Sequence, residues 1–283
     1  MYNKIMEHNY TEYTNYWIKD NDTLIIKPNF NDNISLINFS KNIVSLIFNE
    51  TDDVMNNNNC KYIYSQFNKP IDNLSFLILN LTFGYNFNQQ VNNLPRNLKN
   101  LTFGYYFNQC VDHLPPNLIN LTFCCNFNKS VNNLPQNLQN LTFDISFNYT
   151  VDNLPSTLLN LTFGNIFNQS VNNLPTTLLN LTFGYYFNQL VDNLPSCILN
   201  ITFGFEFNQS IENLPNSVIK LYFINKYSHN YNLCQFNKQL NNLPNSITEI
   251  LLPDNYIHKI NILPNNLTKI INLTNHKYLL ELD

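Results

Sequence analysis

Residues 101–120 read LTFGYYFNQCVDHLPPNLIN, and residues 121–140 read LTFCCNFNKSVNNLPQNLQN. LTFDISFNYTVDNLPSTLLN (141–160) and LTFGNIFNQSVNNLPTTLLN (161–180) follow without slippage. The same 20-residue unit runs seven times from Leu81 to Lys220. A fixed period of this length marks a solenoid, in which one coil cannot bury its own apolar face and relies on its neighbours. Numbered from Leu101, the apolar positions are 1 (Leu101), 3 (Phe103), 7 (Phe107), 11 (Val111), 14 (Leu114) and 18 (Leu118). Positions 1 and 3 alternate with the polar Asn100 and Thr102, which is the period of a strand. No helical series fits, and Pro at position 15 of these coils forbids a helix there. The pattern predicts a β-solenoid of leucine-rich-repeat-like character. Each coil contributes one short strand to a curved parallel sheet, with few or no helices.

Two aromatic rows are expected to build the core. Position 3 supplies Phe83 through Phe223 and position 7 supplies Phe67 through Phe236, together 17 of the 22 phenylalanines. Rings at this spacing must fill the interior of their own coils, so Phe143→Ala is expected to cost about 3–5 kcal/mol. Position 8 is Asn from Asn68 to Asn208 and again at Asn237. Turning backbone leaves inward N–H and C=O groups that no strand satisfies, and an inward amide ladder would satisfy them. The Leu-Pro pair, as at Leu94-Pro95 and Leu243-Pro244, fixes an extended turn.

The frame extends outward from the perfect block. Residues 61–80 form an earlier coil with Ser75 in place of Pro, and Leu221 opens a coil stretched by the insertion INKYSHNYNLCQ (224–235). Residues 250–269 are a worn coil with Tyr256 in the Phe slot. The expected organisation is a divergent N-terminal cap with a polar loop (1–60, the loop NETDDVMNNNN at 49–59), repeats over 61–270, and a C-terminal cap (271–283).

Composition excludes several classes. The net charge is −4, Arg96 is the one arginine, and the lysines form no stripe, so nucleic acid is not an expected partner. No apolar window is long enough for a membrane span, and the N-terminus lacks a secretory signal. Asn supplies about a fifth of the chain and Ala is absent, a bias that AT-rich coding would produce. The hydrophobic content of 44% is too high for disorder. Six scattered cysteines form no CxxC pair, and Asn-Leu-Thr sequons recur every 20 residues from Asn80 to Asn180, where glycans would collide. Both features point to the cytoplasm. His8, His113, His229, His258 and His276 share no spacing with one another or with a cysteine, so neither a catalytic nor a metal site is expected. Asp112, Asp152 and Asp192 at position 12 read as solvated turns, and the glycines at position 4 read as repeat turns. No cofactor is expected.

These units resemble FNIP repeats, named for a Phe-Asn-x-Pro core and found in slime-mould and giant-virus proteins. Phe67-Asn68-Lys69-Pro70-Ile71 carries that core as it stands, while later coils keep Phe-Asn-Gln, as in Phe87-Asn88-Gln89. The resemblance covers about residues 61–270 and implies a protein–protein interaction scaffold, placed in the host cytoplasm if the chain is viral. It also brings in ubiquitin-ligase components as partners, because some members carry an N-terminal F-box. Residues 1–60 lack the Leu-Pro start and amphipathic helices of an F-box. A ligase substrate-recognition subunit is therefore the alternative reading.

Variation on a rigid frame is how a solenoid tailors a binding face. Positions 5 and 6 vary, and their candidate partner-binding residues are Tyr85, Tyr105, Tyr106, Tyr185, Tyr186, Phe205 and Glu206. The insertion at 224–235 is a second candidate. A further alternative is carbohydrate or ice-type binding through the Thr row at position 2 and the Asn row at position 20.

Overall fold

The computed structural model describes residues 10–12, 16–19, 21–34, 42–48, 52–56, 59–72, 74–224, 234–253, 255–258, 260, 262–272 and 278–281. The middle of the insertion, residues 225–233, lies outside the described residues, as do much of the N-terminal cap and residues 273–277 and 282–283 of the C-terminal one. The chain divides into two compact units, residues 1–127 and 128–283. Each is a parallel β-solenoid, and no α-helix occurs among the described residues.

The strands are short because only the Asn-Leu-Thr segment alternates. In the first unit they are β1 (Tyr10–Glu12), β2 (Tyr16–Lys19), β3 (Thr23–Ile26), β4 (Ser45–Phe48), β5 (Asp52–Asn56), β6 (Asn59–Ile63), β7 (Asn80–Thr82), β8 (Asn100–Thr102) and β9 (Asn120–Thr122). In the second they are β10 (Asn140–Thr142), β11 (Asn160–Thr162), β12 (Asn180–Thr182), β13 (Asn200–Phe203), β14 (Lys220–Phe223), β15 (Glu249–Leu252), β16 (Lys269–Asn272) and β17 (Tyr278–Glu281). Within the perfect block the register is one coil to the next, as in Asn160↔Asn180, Leu161↔Leu181 and Thr162↔Thr182. The parallel rows run upstream of residue 61, since β3 pairs β4 and β4 pairs β7 in parallel. At the outer ends the direction reverses, with β1–β2–β3 and β16–β17 antiparallel. The stretch expected to be a polar loop instead forms the antiparallel hairpin β5–β6, from Asp52↔Ile63 to Asn56↔Asn59.

The two Phe rows fill the interior. Within one coil the position-3 and position-7 rings stack at 3.7 Å, as in Phe103–Phe107 and Phe163–Phe167. Between coils the spacing is 5.8 Å for Phe163–Phe183 and 6.1 Å for Phe167–Phe187. Hydrogen-bonded strands stand only about 4.8 Å apart. Each pair of coils is therefore a wedge, thin at the strands and wide at the rings. The rows also begin earlier than the sequence reading placed them: Phe30 stacks on Phe67 at 6.0 Å and Phe48 on Phe67 at 4.2 Å.

The Asn residues at position 8 do satisfy backbone between coils, as expected. The Asn168 side-chain oxygen accepts from the Asn188 N–H at 2.9 Å, and Asn188 does the same for Asn208. In the first unit the same bonds reach back to Asn31, which accepts from Asn68, and in the second they run on to Asn237, which donates to Asn208. These amides sit half-buried to exposed rather than inward. They hold the backbone of the turn from its outer side.

Candidate functional site

The variable row starts where the strand ends. At position 4 a glycine brings successive coils into very close approach. A Cβ on Gly184 would lie 1.9 Å from the Gly164 carbonyl oxygen, and one on Gly204 1.9 Å from that of Gly184. No glycine has a positive φ. The glycines open the repeat turn, as expected, with the Phe87 and Phe107 N–H groups closing on the Gly84 and Gly104 carbonyls at 3.3 Å, and the missing Cβ also makes room for the neighbouring coil.

Positions 5 and 6 then turn on a backbone that ignores the side chains. The N–H at position 6 donates to the position-5 carbonyl one coil earlier: Tyr106 to Tyr85 at 3.0 Å, Tyr186 to Asn165 at 2.8 Å, and Glu206 to Tyr185 at 2.8 Å. Because main-chain bonds hold this row, its side chains can change without disturbing the coil.

The seven candidate residues gather into two clusters, one in each unit. In the first, Tyr85 stacks on Tyr105 at 4.7 Å, and Tyr106 meets both edge-on at 5.1 and 5.0 Å. Tyr64 joins them, stacked on Tyr85 at 4.3 Å. The sequence reading missed it because its coil has one more residue between the tyrosine and Phe67 than Tyr85 has before Phe87. Desolvation, then the Tyr106 hydroxyl, push the Tyr85 hydroxyl above its ordinary pKa. In the second unit Tyr185 stacks on Phe205 at 4.7 Å and meets Tyr186 edge-on at 4.7 Å. Desolvation first, then the Glu206 carboxylate, raise the Tyr185 pKa. Tyr106 and Tyr186 are 45% and 51% exposed, so each cluster presents a ring to solvent.

A small hollow of about 20 Å³ adjoins the second cluster, lined among others by Thr182, Thr202, Tyr185, Phe205 and Ile224. It has room for one water-sized group. The insertion leaves and re-enters beside this place: Ile224 N–H donates to the Phe203 carbonyl at 2.9 Å, and Gln235 N–H to the Phe205 carbonyl at 2.6 Å.

On the strand face, the Asn row at position 20 is a bonded ladder. Asn180 donates Nδ2–H to Asn160, and Asn200 to Asn180, both at 2.5 Å, while Asn100 and Asn120 donate to Asn80 and Asn100 respectively. These are the sequon asparagines, so their amide nitrogens are engaged by neighbouring coils. Of the position-12 aspartates, read as solvated turns, Asp152 and Asp192 accept from position 13 of the next coil, Asn173 at 2.9 Å and Asn213 at 3.0 Å. Among the described residues no group of three His, Cys, Asp or Glu is placed to hold a metal ion. No helix of the described residues is long and apolar enough to cross a membrane.

The FNIP Repeat family model matches residues 90–126, 127–166 and 190–226. No curated protein matches the chain. Among solved structures, the chain is similar to CroV588, described as a novel circular LRR protein structure, with a TM-score of 0.61 and 33% sequence identity. The likeness covers 87% of this chain and 42% of that one, so this chain spans less than half the length of that protein.

Proposed function

Because this chain carries FNIP repeats in an LRR-like solenoid, we propose that it is a protein-interaction scaffold that recognises its partner through the position-5 and position-6 row. The observation that carries this reading is the division of labour within the coil. Phe and Asn at positions 7 and 8, with glycine at position 4 of most coils, fix the turn, and main-chain bonds hold positions 5 and 6 between them. Half-exposed tyrosines on that fixed turn lose little conformational freedom on binding and bring large contact area.

The experiment is quantitative capture of cross-linked partners from host cells by the full chain and by a Tyr105→Ala/Tyr185→Ala variant. The variant is expected to fold normally and to lose a specific subset of partners. Unchanged recovery of every partner would refute the assignment. Ubiquitin-ligase subunits in that subset would mark the alternative role. The carbohydrate or ice-type reading is less favoured, because each Asn amide at position 20 spends a donor and an acceptor on its neighbours.

A further inference from the structure

The two aromatic clusters differ in one respect. Beside Tyr64, Tyr85, Tyr105 and Tyr106, the neighbouring position-6 residues are Asn86 and Asn126. In the second unit the position-6 residue next to Phe205 is Glu206, half-buried and tied through its N–H to the Tyr185 carbonyl. No cation among the described residues answers this carboxylate: Lys220 and Lys269 both pair with Glu249, at 3.5 Å each. The carboxylate acts on the Tyr185 hydroxyl, and Tyr185 stacks on Phe205 and meets the exposed ring of Tyr186 edge-on. The face of an aromatic ring is electronegative, so rings and carboxylate select the same ligand, a cation. The adjoining hollow of about 20 Å³, which Tyr185 and Phe205 help to line, has room for one water-sized group and is too small for a free organic molecule.

We propose that Tyr185, Tyr186, Phe205 and Glu206 form a receptor for a cationic side chain, Lys or Arg, presented by the partner protein. This rests on the scaffold reading and names the chemistry of its partner. Among the described residues the cluster of the first unit has Asn86 and Asn126 at position 6 and takes uncharged contacts.

Fluorescein-labelled decapeptides of alternating Gly-Lys, Gly-Glu and Gly-Leu, titrated against the full chain with an anisotropy readout, test the assignment. The Lys peptide is expected to bind in preference to the other two. Glu206→Gln should weaken it about fivefold, and Tyr186→Ala by a similar factor. Glu212→Gln makes the same charge change at an exposed site elsewhere and should leave affinity within about twofold. Equal losses in the Glu206 and Glu212 variants would reduce the effect to net charge and overturn the proposal, as would equal binding of the Glu peptide. Loss of cellular partners from the Tyr105→Ala/Tyr185→Ala variant without any Lys-peptide preference would leave the scaffold reading standing and the cationic assignment refuted. Failure of both experiments would refute both.

Discussion

Position 20 of the coil is handled in two ways within the second unit. From Asn140 to Asn200 it holds amides, and Asn160, Asn180 and Asn200 each donate to the coil before. Beyond them it holds Lys220, Glu249 and Lys269, in strands paired Lys220↔Glu249 and Glu249↔Lys269. Glu249 bridges both lysines at 3.5 Å. An amide is donor and acceptor at once, so any Asn coil fits beside any other. A Lys–Glu–Lys series has one favourable order, because like charges brought opposite each other repel. Repetition thus carries stability, while the irregular end carries register.

The largest effect belongs to the row that both regions share. Phe163 is buried between Phe167 at 3.7 Å and Phe183 at 5.8 Å, and Phe163→Ala should cost about 3–5 kcal/mol in urea unfolding. A loss under about 1 kcal/mol would mean the rings form no dry spine. Asn180→Ala removes two ladder bonds from a half-buried row and should cost about 1–3 kcal/mol with little dependence on salt. Glu249→Gln breaks two pairs whose lysines are 45% and 40% exposed, so the expected loss is at most about 1 kcal/mol and fades in about 1 M salt. A larger, salt-insensitive loss there would erase the distinction between the two solutions.

The smallest effect is expected at Tyr256, which takes the Phe slot and stacks on Phe236 at 6.0 Å. Its hydroxyl is buried toward the Leu240 backbone without hydrogen-bond geometry. Tyr256→Phe should leave stability unchanged or raise it by up to about 1 kcal/mol, read from the thermal midpoint. A clear loss would show that the hydroxyl is bonded and that the last coils depend on polar contacts even in their core.

What was legible in the sequence follows from the same contrast. A 20-residue period displays every residue that must recur, so the strand, the Phe rows and the Asn ladder at position 8 were readable. The Leu94-Pro95 type of turn was also visible, and the Leu98 N–H indeed closes on the Pro95 carbonyl at 3.1 Å. Features that break the period were not. Phe30-Asn31 is a rung, but 37 residues separate Phe30 from Phe67 because the β5–β6 hairpin interrupts the coil. The charged series at position 20 was hidden by the 29-residue step from Lys220 to Glu249. The glycines were visible as turns, but their second role, admitting the neighbouring coil, depends on the distance between coils, which the sequence does not display. The variable row was found as seven residues, yet its grouping into two clusters depends on which side chains stack across coils. Composition at one position does not report that.

Deletion of residues 161–180 tests the central claim most directly. The cut joins Asn160 to Leu181 and sets Gly184 over Asp144, the approach that Gly164 makes now. If central coils are interchangeable rungs, the shortened chain keeps its β-sheet circular dichroism and a single cooperative urea transition, with an m-value within about a tenth of the parent's. A chain that loses its cooperative transition, or collapses into a soluble aggregate, would contradict the account.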